Sequence, residues 1–396
     1  LKRRLSMRIN LLFLFLIFSS LLGIACLWDN DTIKMEKQDF PEVYDLLTGN
    51  FIRHSEEYYH WKIKDRTQKL KSDPNNPRLY DDLAVAYSKM HQDKKAIELM
   101  MQKEKIVPGE YETYANMGTF YLHDGQLEKG IEYIEKAIAI NPDAHFGREV
   151  YQKYLAEYLL EKGYGKNFEL PVSKIIFPNQ KDKTFYSFLC KKLKNDPNKE
   201  LNLEESQKAI KGICGMIKFG NYNSPILLEA LGDILSQGSA RHSRKSNRNL
   251  AILAYYRASQ TCNSKSASKI YIQKTEKLAR ALQDSYNKKD PISNLTKDLD
   301  RDIILADKKF QKIRANEIQW IQEGLDVDEK FAEVYYGIQP QPKPEKKEVV
   351  EEKLTDENIP AKDSKGEIIF NTLIGIIILA FLAVIVFIIR KNMNKG

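Results

Sequence analysis

The sequence predicts an all-α protein of stacked helical hairpins, with a second helical half and one C-terminal transmembrane helix. Three observations support this prediction. Prolines recur 34 residues apart, at Pro74, Pro108 and Pro142. Small and apolar residues between them follow the pattern of a repeated helix pair. Near the C-terminus, residues 368–389 within the segment 367–390 are apolar except for Asn371 and Thr372, which is enough to cross a bilayer core of about 30 Å.

Composition excludes several classes of protein. The chain has 396 residues, enough for about two to three domains of average size. It is 42% hydrophobic and 29% charged, with a formal net charge of +8 and four cysteines. These values exclude a disordered polyelectrolyte, a multi-span membrane protein and a disulfide scaffold. The weak, dispersed positive charge indicates no nucleic-acid partner.

Residues 1–25 are typical of a secretory signal peptide. Basic residues precede an apolar run that ends at Ala25, as in the first two regions of such signals. Gly23 and Ala25 favour cleavage before Cys26. A cysteine there resembles the acylated first residue of a bacterial lipoprotein, which makes Cys26 the candidate for lipidation. Leu22 lies one position too far from the cleavage site for that pattern, so ordinary signal cleavage stays the alternative.

Residues 26–76 are interpreted as a divergent helical cap. Ser55 is followed by Glu56 and Glu57, and a serine before acidic residues is typical of a helix start. We therefore expect Ser55 to cap a helix that ends before Pro74.

Two repeats are predicted, at about 77–110 and 111–144. Within each, one helix is expected to pack closely on the next through small residues, and a proline ends the second helix. The positions that fit the pattern are Tyr80, Leu83, Ala84, Tyr87, Ala96, Met100 and Pro108, then Tyr114, Met117, Gly118, Tyr121, Gly130, Ile134, Ala137 and Pro142. This pattern resembles the tetratricopeptide repeat (TPR) family. The resemblance implies a solenoid of helical hairpins with a concave groove.

A second resemblance covers about residues 26–151. Through Cys26-Leu-Trp-Asp, Arg53-His-Ser and Asn141-Pro-Asp-Ala-His-Phe-Gly-Arg148, the chain is similar to an uncharacterised group of bacterial exported, membrane-anchored TPR proteins. The resemblance supports export and anchoring and implies no reaction.

The rest of the chain divides by pattern. A capping helix is predicted to complete the array 77–164, and an irregular connection with two prolines follows at 165–182. Residues 183–338 are interpreted as a degenerate TPR-like helical domain. A Pro/Lys/Glu-rich disordered tether is expected at 339–366, then the transmembrane helix 367–390. The basic tail 391–396 is expected in the cytoplasm.

No motif for catalysis, a cofactor or a metal is present in the sequence. It contains no Walker loop, GxSxG, HExxH or GxGxxG, and its six histidines lack ligand spacing. His54 and His60 are six residues apart, which places them on different helix faces. The cysteines beyond Cys26 lack a CxxC pair, and we interpret them as isolated buried residues, with one disulfide as the alternative.

Family positions predict the residues of a partner-binding groove. The resemblance implies that the first helix of each repeat lines it, through Arg78, Asp81, Asp82, Val85 and Lys89 in one repeat and Glu112, Asn116, Thr119 and His123 in the next. Only Lys89 and Asn116 resemble the residues with which some TPR domains hold a terminal carboxylate. Because Asp81 and Asp82 would repel an acidic terminus, we expect a basic peptide.

These patterns predict a non-enzymatic, membrane-anchored protein that binds or assembles other proteins in the bacterial cell envelope. The signal and the positive-inside rule place the body on the periplasmic side of the cytoplasmic membrane and the C-terminus in the cytoplasm. One alternative is a helical enzyme or cell-wall-polymer-binding domain at 183–338 that the repeats recruit. Another is a structural spacer.

Overall fold

The structure is a computed structural model that describes residues 42–166, 168–174, 184–237, 244–283 and 291–338. Within these ranges it contains fourteen α-helices, one short 3₁₀ helix and no strand, which confirms the all-α prediction for this part of the chain. The helices are α1 Val43–Thr48, α2 Glu56–Ser72, α3 Pro77–Lys89, α4 Asp93–Ile106, α5 Tyr111–His123, α6 Leu127–Ile140, α7 Arg148–Glu161, α8 Phe185–Lys194, α9 Leu203–Phe219, α10 Pro225–Gln237, α11 Arg244–Thr261, α12 Lys265–Gln283, α13 Pro291–Gln322 and α14 Val327–Tyr336.

The predicted helix start at Ser55 is confirmed. Ser55 has extended backbone angles, and its hydroxyl accepts a hydrogen bond from the backbone N–H of Tyr58, which satisfies one of the free donors of the first turn of α2. The next helix, α3, begins with Pro77 after Asn76, whose side chain accepts from the N–H of Arg78. A proline at this position loses no intrahelical bond.

Two helical hairpins, α3–α4 and α5–α6, fall within the predicted repeats and pack against one another in chain order. The second hairpin brings its backbones close together. A Cβ atom added to Gly118 would lie 2.5 Å from Cγ1 of Ile134 and 3.0 Å from its backbone nitrogen, and one on Gly130 would lie 3.0 Å from the carbonyl oxygen of Gly118. Glycine is therefore needed on both helices for this packing.

One hydrophobic core runs from the second hairpin into the second helical half. It includes Leu122 and Ile134 of the repeat, Leu155 of α7 and Ile213 of α9. Close contacts recur here, because a Cβ atom on Gly212 would lie 2.6 Å from the ring of Tyr151. The packing therefore continues without a break past the predicted boundary at 165–182, of which residues 165–166 and 168–174 are described.

Helices α13 and α14, here called the closing helices, return to the beginning of the array. The long helix α13 packs against α1 and α2, and α14 packs on α13. A separate aromatic core joins them, with Tyr58 of α2, Trp320 of α13 and Phe331 of α14 all buried. The last helices thus cover the first ones, which the repeat pattern alone does not predict.

Several predicted segments lie outside the described residues. They are the signal peptide 1–25 with Cys26, the tether 339–366, the membrane helix 367–390 and the tail 391–396. Among the helices that the structure does describe, none combines the length and the apolar character needed to span a bilayer.

Candidate partner-binding cleft

Five of the nine predicted groove residues are buried. Their exposed fractions are 7% or less, and they are Asp81, Asp82, Val85, Asn116 and Thr119. The expectation of an open groove at these positions is therefore corrected, because the facing sides of α3, α5 and α7 bond to one another there. A role for these residues in partner binding stays a prediction.

Asp81 is neutralised within the array. Its Oδ2 atom lies 2.7 Å from Nζ of the buried Lys103, and its Oδ1 atom accepts from the amide of Asn116 at 3.3 Å. Burial raises the pKa of Asp81 to about 7, and the cation of Lys103 opposes that shift. The carboxyl group is thus part of the packing between α3, α4 and α5.

Asp82 is neutralised by the neighbouring helix α2. Its Oδ2 atom accepts from Nε of Arg66 at 2.8 Å, and Nζ of Lys62 lies 3.8 Å from Oδ1. Because Asp81 and Asp82 both have buried cationic partners, the acidic charge that favoured a basic partner is not available. That expectation about partner charge is corrected.

The four other predicted groove residues are exposed or half-buried and do not belong to the buried set described above. Arg78 is exposed and Glu112 is half-buried. Lys89 and His123 lie together on the wall of a cleft of about 520 Å³. Thr119, although buried, accepts a hydrogen bond at 3.1 Å from Gln152 of α7, which ties the predicted second repeat to the capping helix.

The cleft is built from five distant parts of the chain. Its wall combines the segment that leads into α2, the end of α3 with the following turn, the end of α5, the turn between α9 and α10, and the middle of α13. Residues that the argument below uses are Arg53, Lys89, His91, His123, Tyr222, Phe310 and Arg314. Since α13 forms one side, the closing helices complete this cleft.

Lys89 connects two sides of the cleft. Its ammonium group donates to the backbone carbonyl oxygens of Phe219 and Gly220, which end α9. Free carbonyls at a helix end carry partial negative charge, so a cation there is favourable. Lys89 therefore fixes the distance between α3 and α9.

Arg53 lies between aromatic rings in the same cleft. Its guanidinium carbon is 4.0 Å from the ring centroid of Phe310 and 4.6 Å from that of Tyr222. It donates to the carbonyl oxygen of Gly49 at 2.6 Å and to the hydroxyl of Tyr222 at 3.4 Å. Burial lowers the pKa of Arg53, but an arginine stays charged at neutral pH.

Ser88, Asp93 and His123 form a polar cluster with the wrong geometry for nucleophilic catalysis. Ser88 Oγ donates to Asp93 Oδ1 at 2.6 Å and lies 3.2 Å from Nδ1 of His123. That same nitrogen is 3.5 Å from Asp93. A serine–histidine–aspartate relay needs the serine and the carboxylate on opposite ring nitrogens. The cluster instead links α3 with α5 by hydrogen bonds.

His54 joins the cleft to the closing helices. Its Nδ1 atom lies 2.7 Å from Oε1 of Glu317, and its ring stacks on Tyr58 at a centroid distance of 3.6 Å. The other carboxylate oxygen of Glu317 accepts from the N–H of Ser55 at 3.0 Å. Because Glu317 is buried, this pair fixes α13 on the start of α2.

Neither metal ligation nor a disulfide is indicated by the described residues. In the parts of the chain with assigned positions, no three histidine, cysteine, aspartate or glutamate side chains come together as metal ligands. Cys190, Cys214 and Cys262 are free thiols. Burial raises the pKa of the Cys214 thiol to about 12, so it stays a protonated apolar side chain at neutral pH.

The second helical half contains a cluster of convergent polar groups, which bears on the enzyme alternative. Glu229 of α10 accepts four hydrogen bonds, from the N–H groups of Val172 and Ser173, the hydroxyl of Tyr271 and the ammonium of Lys274, all at 2.7–2.9 Å. Both Glu229 and Lys274 are buried. A carboxylate whose acceptor sites are filled by its own protein holds the loop 168–174 in place and has little capacity for a substrate.

Comparison with protein families identifies one part of the chain. Residues 111–144 match the family described as tetratricopeptide repeat. The chain therefore contains a tetratricopeptide repeat. The match covers α5 and α6, the hairpin that holds Gly118 and Gly130, and confirms the family prediction there. No curated protein matches the chain.

Sequence reasoning missed most of the cleft. Lys89 and His123 were predicted from repeat positions, but Arg53, Tyr222 and Phe310 were not, because Tyr222 lies 169 residues and Phe310 lies 257 residues after Arg53 in the chain. The arginine of the Arg53-His-Ser motif was noted only as part of a resemblance. No local spacing predicts that rings from the α9–α10 turn and from α13 enclose it.

Proposed function

We propose that this chain is a non-enzymatic interaction protein that receives a segment of a partner protein in the cleft beside the TPR hairpins. TPR repeats generally bind protein or peptide partners, and the family match at 111–144 supports that class of function. The observation that carries the proposal is the cleft itself, which contains Lys89 and His123 from the inner side of the array and is closed by α13.

Photo-crosslinking from the rim of the cleft tests this proposal. Benzoylphenylalanine replaces His91, an exposed residue on the rim, or Met101, an exposed residue on α4 that does not line the cleft. We expect irradiation of living cells to give a discrete adduct with the same protein from repeated His91 samples and none from Met101. If both positions give the same adducts, or neither gives any, the cleft is not the partner site.

We further propose that the protein is anchored in the cytoplasmic membrane of a bacterium, with residues 42–338 on the outer side. The apolar segment 367–390, the basic residues that follow it and the signal-like residues 1–25 support this location. Acylation at Cys26 is part of the same proposal. Protease added to spheroplasts should digest the body, and deletion of residues 367–396 should release it from the membrane unless Cys26 is acylated. Protection of the body from protease would contradict the topology.

A further inference from the structure

Arg53 is a half-buried cation in the cleft wall that has no carboxylate partner among the described residues. Its guanidinium donates hydrogen bonds to the carbonyl oxygens of Gly49 and Phe51 and to the hydroxyl of Tyr222, all of them neutral acceptors. Asp307 is close enough to raise the pKa of Arg53, but it forms no ion pair with it and accepts from Gln311 instead. Even partial removal of a cation from water is unfavourable without a paired anion.

The surroundings of Arg53 fix its orientation. The ring centroids of Phe310 and Tyr222 lie within 4.6 Å of the guanidinium carbon of Arg53, and the ring centroid of Phe51 lies 5.4 Å from it. A guanidinium carries five N–H donors, and the bonds described here use only part of them. A planar group held this way keeps its remaining donors in a fixed orientation, and a guanidinium with fixed donors favours a two-point contact with a carboxylate.

The carboxylates that line the cleft are largely engaged elsewhere. Glu57 contacts Arg314, which lowers the pKa of Glu57 to about 2. Asp93 accepts from Ser88 and lies beside His123. Glu56 is exposed in the first turn of α2, where the helix dipole stabilises it. Arg53 is therefore a cation of the cleft wall that a ligand carboxylate could neutralise.

Two histidines on the same wall also leave polar atoms unused. The Nε2 atoms of His54 and His123 are buried and have no hydrogen-bond partner in the described part of the chain. Both residues line the cleft, and both use Nδ1 for contacts inside the protein. Unpaired buried polar atoms are uncommon in native proteins unless a ligand or water completes them.

From these observations, and resting on the proposed function of the same cleft, we infer that Arg53 receives the side-chain carboxylate of an acidic residue in the partner segment. The site differs from a terminal-carboxylate clamp within the repeats. Arg53 lies before α2, and the aromatic rings that pack on its guanidinium come from the α9–α10 turn and from α13. The inference reverses the sequence-based expectation of a basic peptide, since Asp81 and Asp82 are neutralised internally and Arg53 is not.

A selection with a random 12-residue peptide library displayed on phage tests this inference with the purified full chain. The displayed peptides have no free C-terminus, so only side-chain carboxylates can contribute. The variants are Arg53→Gln, Arg53→Lys and the control Arg78→Gln, which removes one positive charge from an exposed position outside the cleft. Circular dichroism and the thermal midpoint of each variant establish that it is folded.

Wild type and Arg78→Gln should enrich Asp and Glu at a common position, and Arg53→Gln should not. In a synthetic copy of a selected peptide, replacing that Glu by Gln should weaken binding to wild type about tenfold, as for loss of a charged hydrogen-bonded contact. The same replacement should change binding to Arg53→Gln less than about twofold. Arg53→Lys, which keeps the charge but not the planar donor pair, should give an intermediate effect.

Selected peptides without acidic residues, or the same acidic peptides from Arg53→Gln, would overturn the inference. Two further probes exclude other sources of the anion. Binding only of peptides with a free C-terminus, abolished by amidation, would assign the contact to a terminal carboxylate and contradict the proposal. Arg53-dependent binding to phosphatidylglycerol vesicles, with no acidic peptide selected, would assign it to lipid.

The two proposals fail in different ways. If benzoylphenylalanine at position 91 captures a partner but the peptides show no acidic preference, the cleft remains the partner site and only the role of Arg53 is wrong. If neither position-dependent capture nor any peptide selection is obtained, the cleft itself is not a partner site.

Discussion

The repeat hairpins and the closing helices are held by contacts of very different sequence range. In the hairpins, the buried pair Asp81–Lys103 joins residues 22 positions apart, and Gly118 contacts Ile134. In the closing helices, Glu317 contacts His54 across 263 positions, and Asp328 contacts Arg66 across 262. The hairpins are held by contacts between residues close in sequence. The closing helices can pack only when the first helices are folded, because their contacts join the two ends of the described chain.

This difference decides how the molecule should respond to mutation. An open solenoid is stabilised mainly by contacts between neighbouring repeats, so damage to one end stays local. Here the last helices pack on the first ones, so the ends stabilise each other. The cleft has one wall in each region, which makes partner binding sensitive to both.

The largest effect should come from Arg66→Met. Arg66 contacts Asp82 and Asp328 in a largely buried position, and although burial alone would lower the pKa of Arg66, these carboxylates raise it. Removal leaves both acids without their guanidinium, which we expect to reduce the free energy of unfolding by about 3–5 kcal/mol. Urea denaturation followed by circular dichroism measures this loss.

Arg314→Met is the matched control for that change. Arg314 also joins a closing helix to α2, through Glu57, but its side chain is 45% exposed. Water screens such a pair, so we expect little change in stability. If Arg66→Met instead produces two separate transitions, with the hairpins unfolding as before, the closing helices are an independent unit and the comparison above is wrong.

An intermediate effect is expected from Gly118→Val in the matched repeat. The new side chain would meet the backbone of Ile134 and Gly130, which can move only if α5 and α6 separate, so we expect a loss of about 1–3 kcal/mol. Gly232→Val is the comparison in the second half, where the added Cβ faces ring atoms of Tyr255. A side chain can yield more than a backbone, so a loss at Gly232 larger than at Gly118 in thermal unfolding would contradict this account.

The last comparison is a pH dependence of stability carried by Asp81. Its pKa is raised by burial from 3.8 to about 7, so between these values the folded protein retains a proton that the unfolded chain has released. Stability should therefore fall as pH rises from about 4 to 7, by at most about 1.4 kcal/mol per pH unit from this group. Asp81→Asn should remove that slope in urea titrations.

Asp233 provides the counterpart in the second half. Burial raises the pKa of Asp233 to about 6, and it accepts from the hydroxyl of Tyr255 at 2.7 Å and the N–H of Phe185 at 2.9 Å. Asp233→Asn should remove a slope of the same sign over the shorter range from about 4 to 6. Parallel stability curves for wild type and both variants would show that these carboxyls are ionised throughout.

The hairpin at 111–144 was predictable because its determinants are local. Three determinants act within one or two helices: the proline spacing, the small residues Gly118 and Gly130, and the cap Ser55. The structure confirms the cap at Ser55. The structure and the family match agree on a closely packed helical hairpin at 111–144. A period of 34 residues states which helix packs on which. The resemblance to the TPR family also predicted Lys89 and His123 as groove residues, and the structure places both on the wall of the cleft.

The burial of Asp81 and Asp82 could not be predicted from the period. A polar residue at a groove position is exposed in an open array, and it is buried only if a cation from another helix reaches it. Lys103 and Arg66 supply those cations, and neither position follows from the repeat pattern. The sign of the partner charge therefore depended on contacts that no local pattern specifies.

The sequence by itself determined that the described chain is helical and that a TPR hairpin occupies 111–144. Residues less than one repeat apart specify which helices pair, so a local pattern is sufficient. Tertiary structure alone decided that α13 and α14 close onto α2, that Arg53 lies between rings from distant segments, and that the aspartates of α3 are neutralised. The physical reason is range: burial and charge pairing depend on neighbours in space, and here those neighbours are up to 263 residues away in the chain.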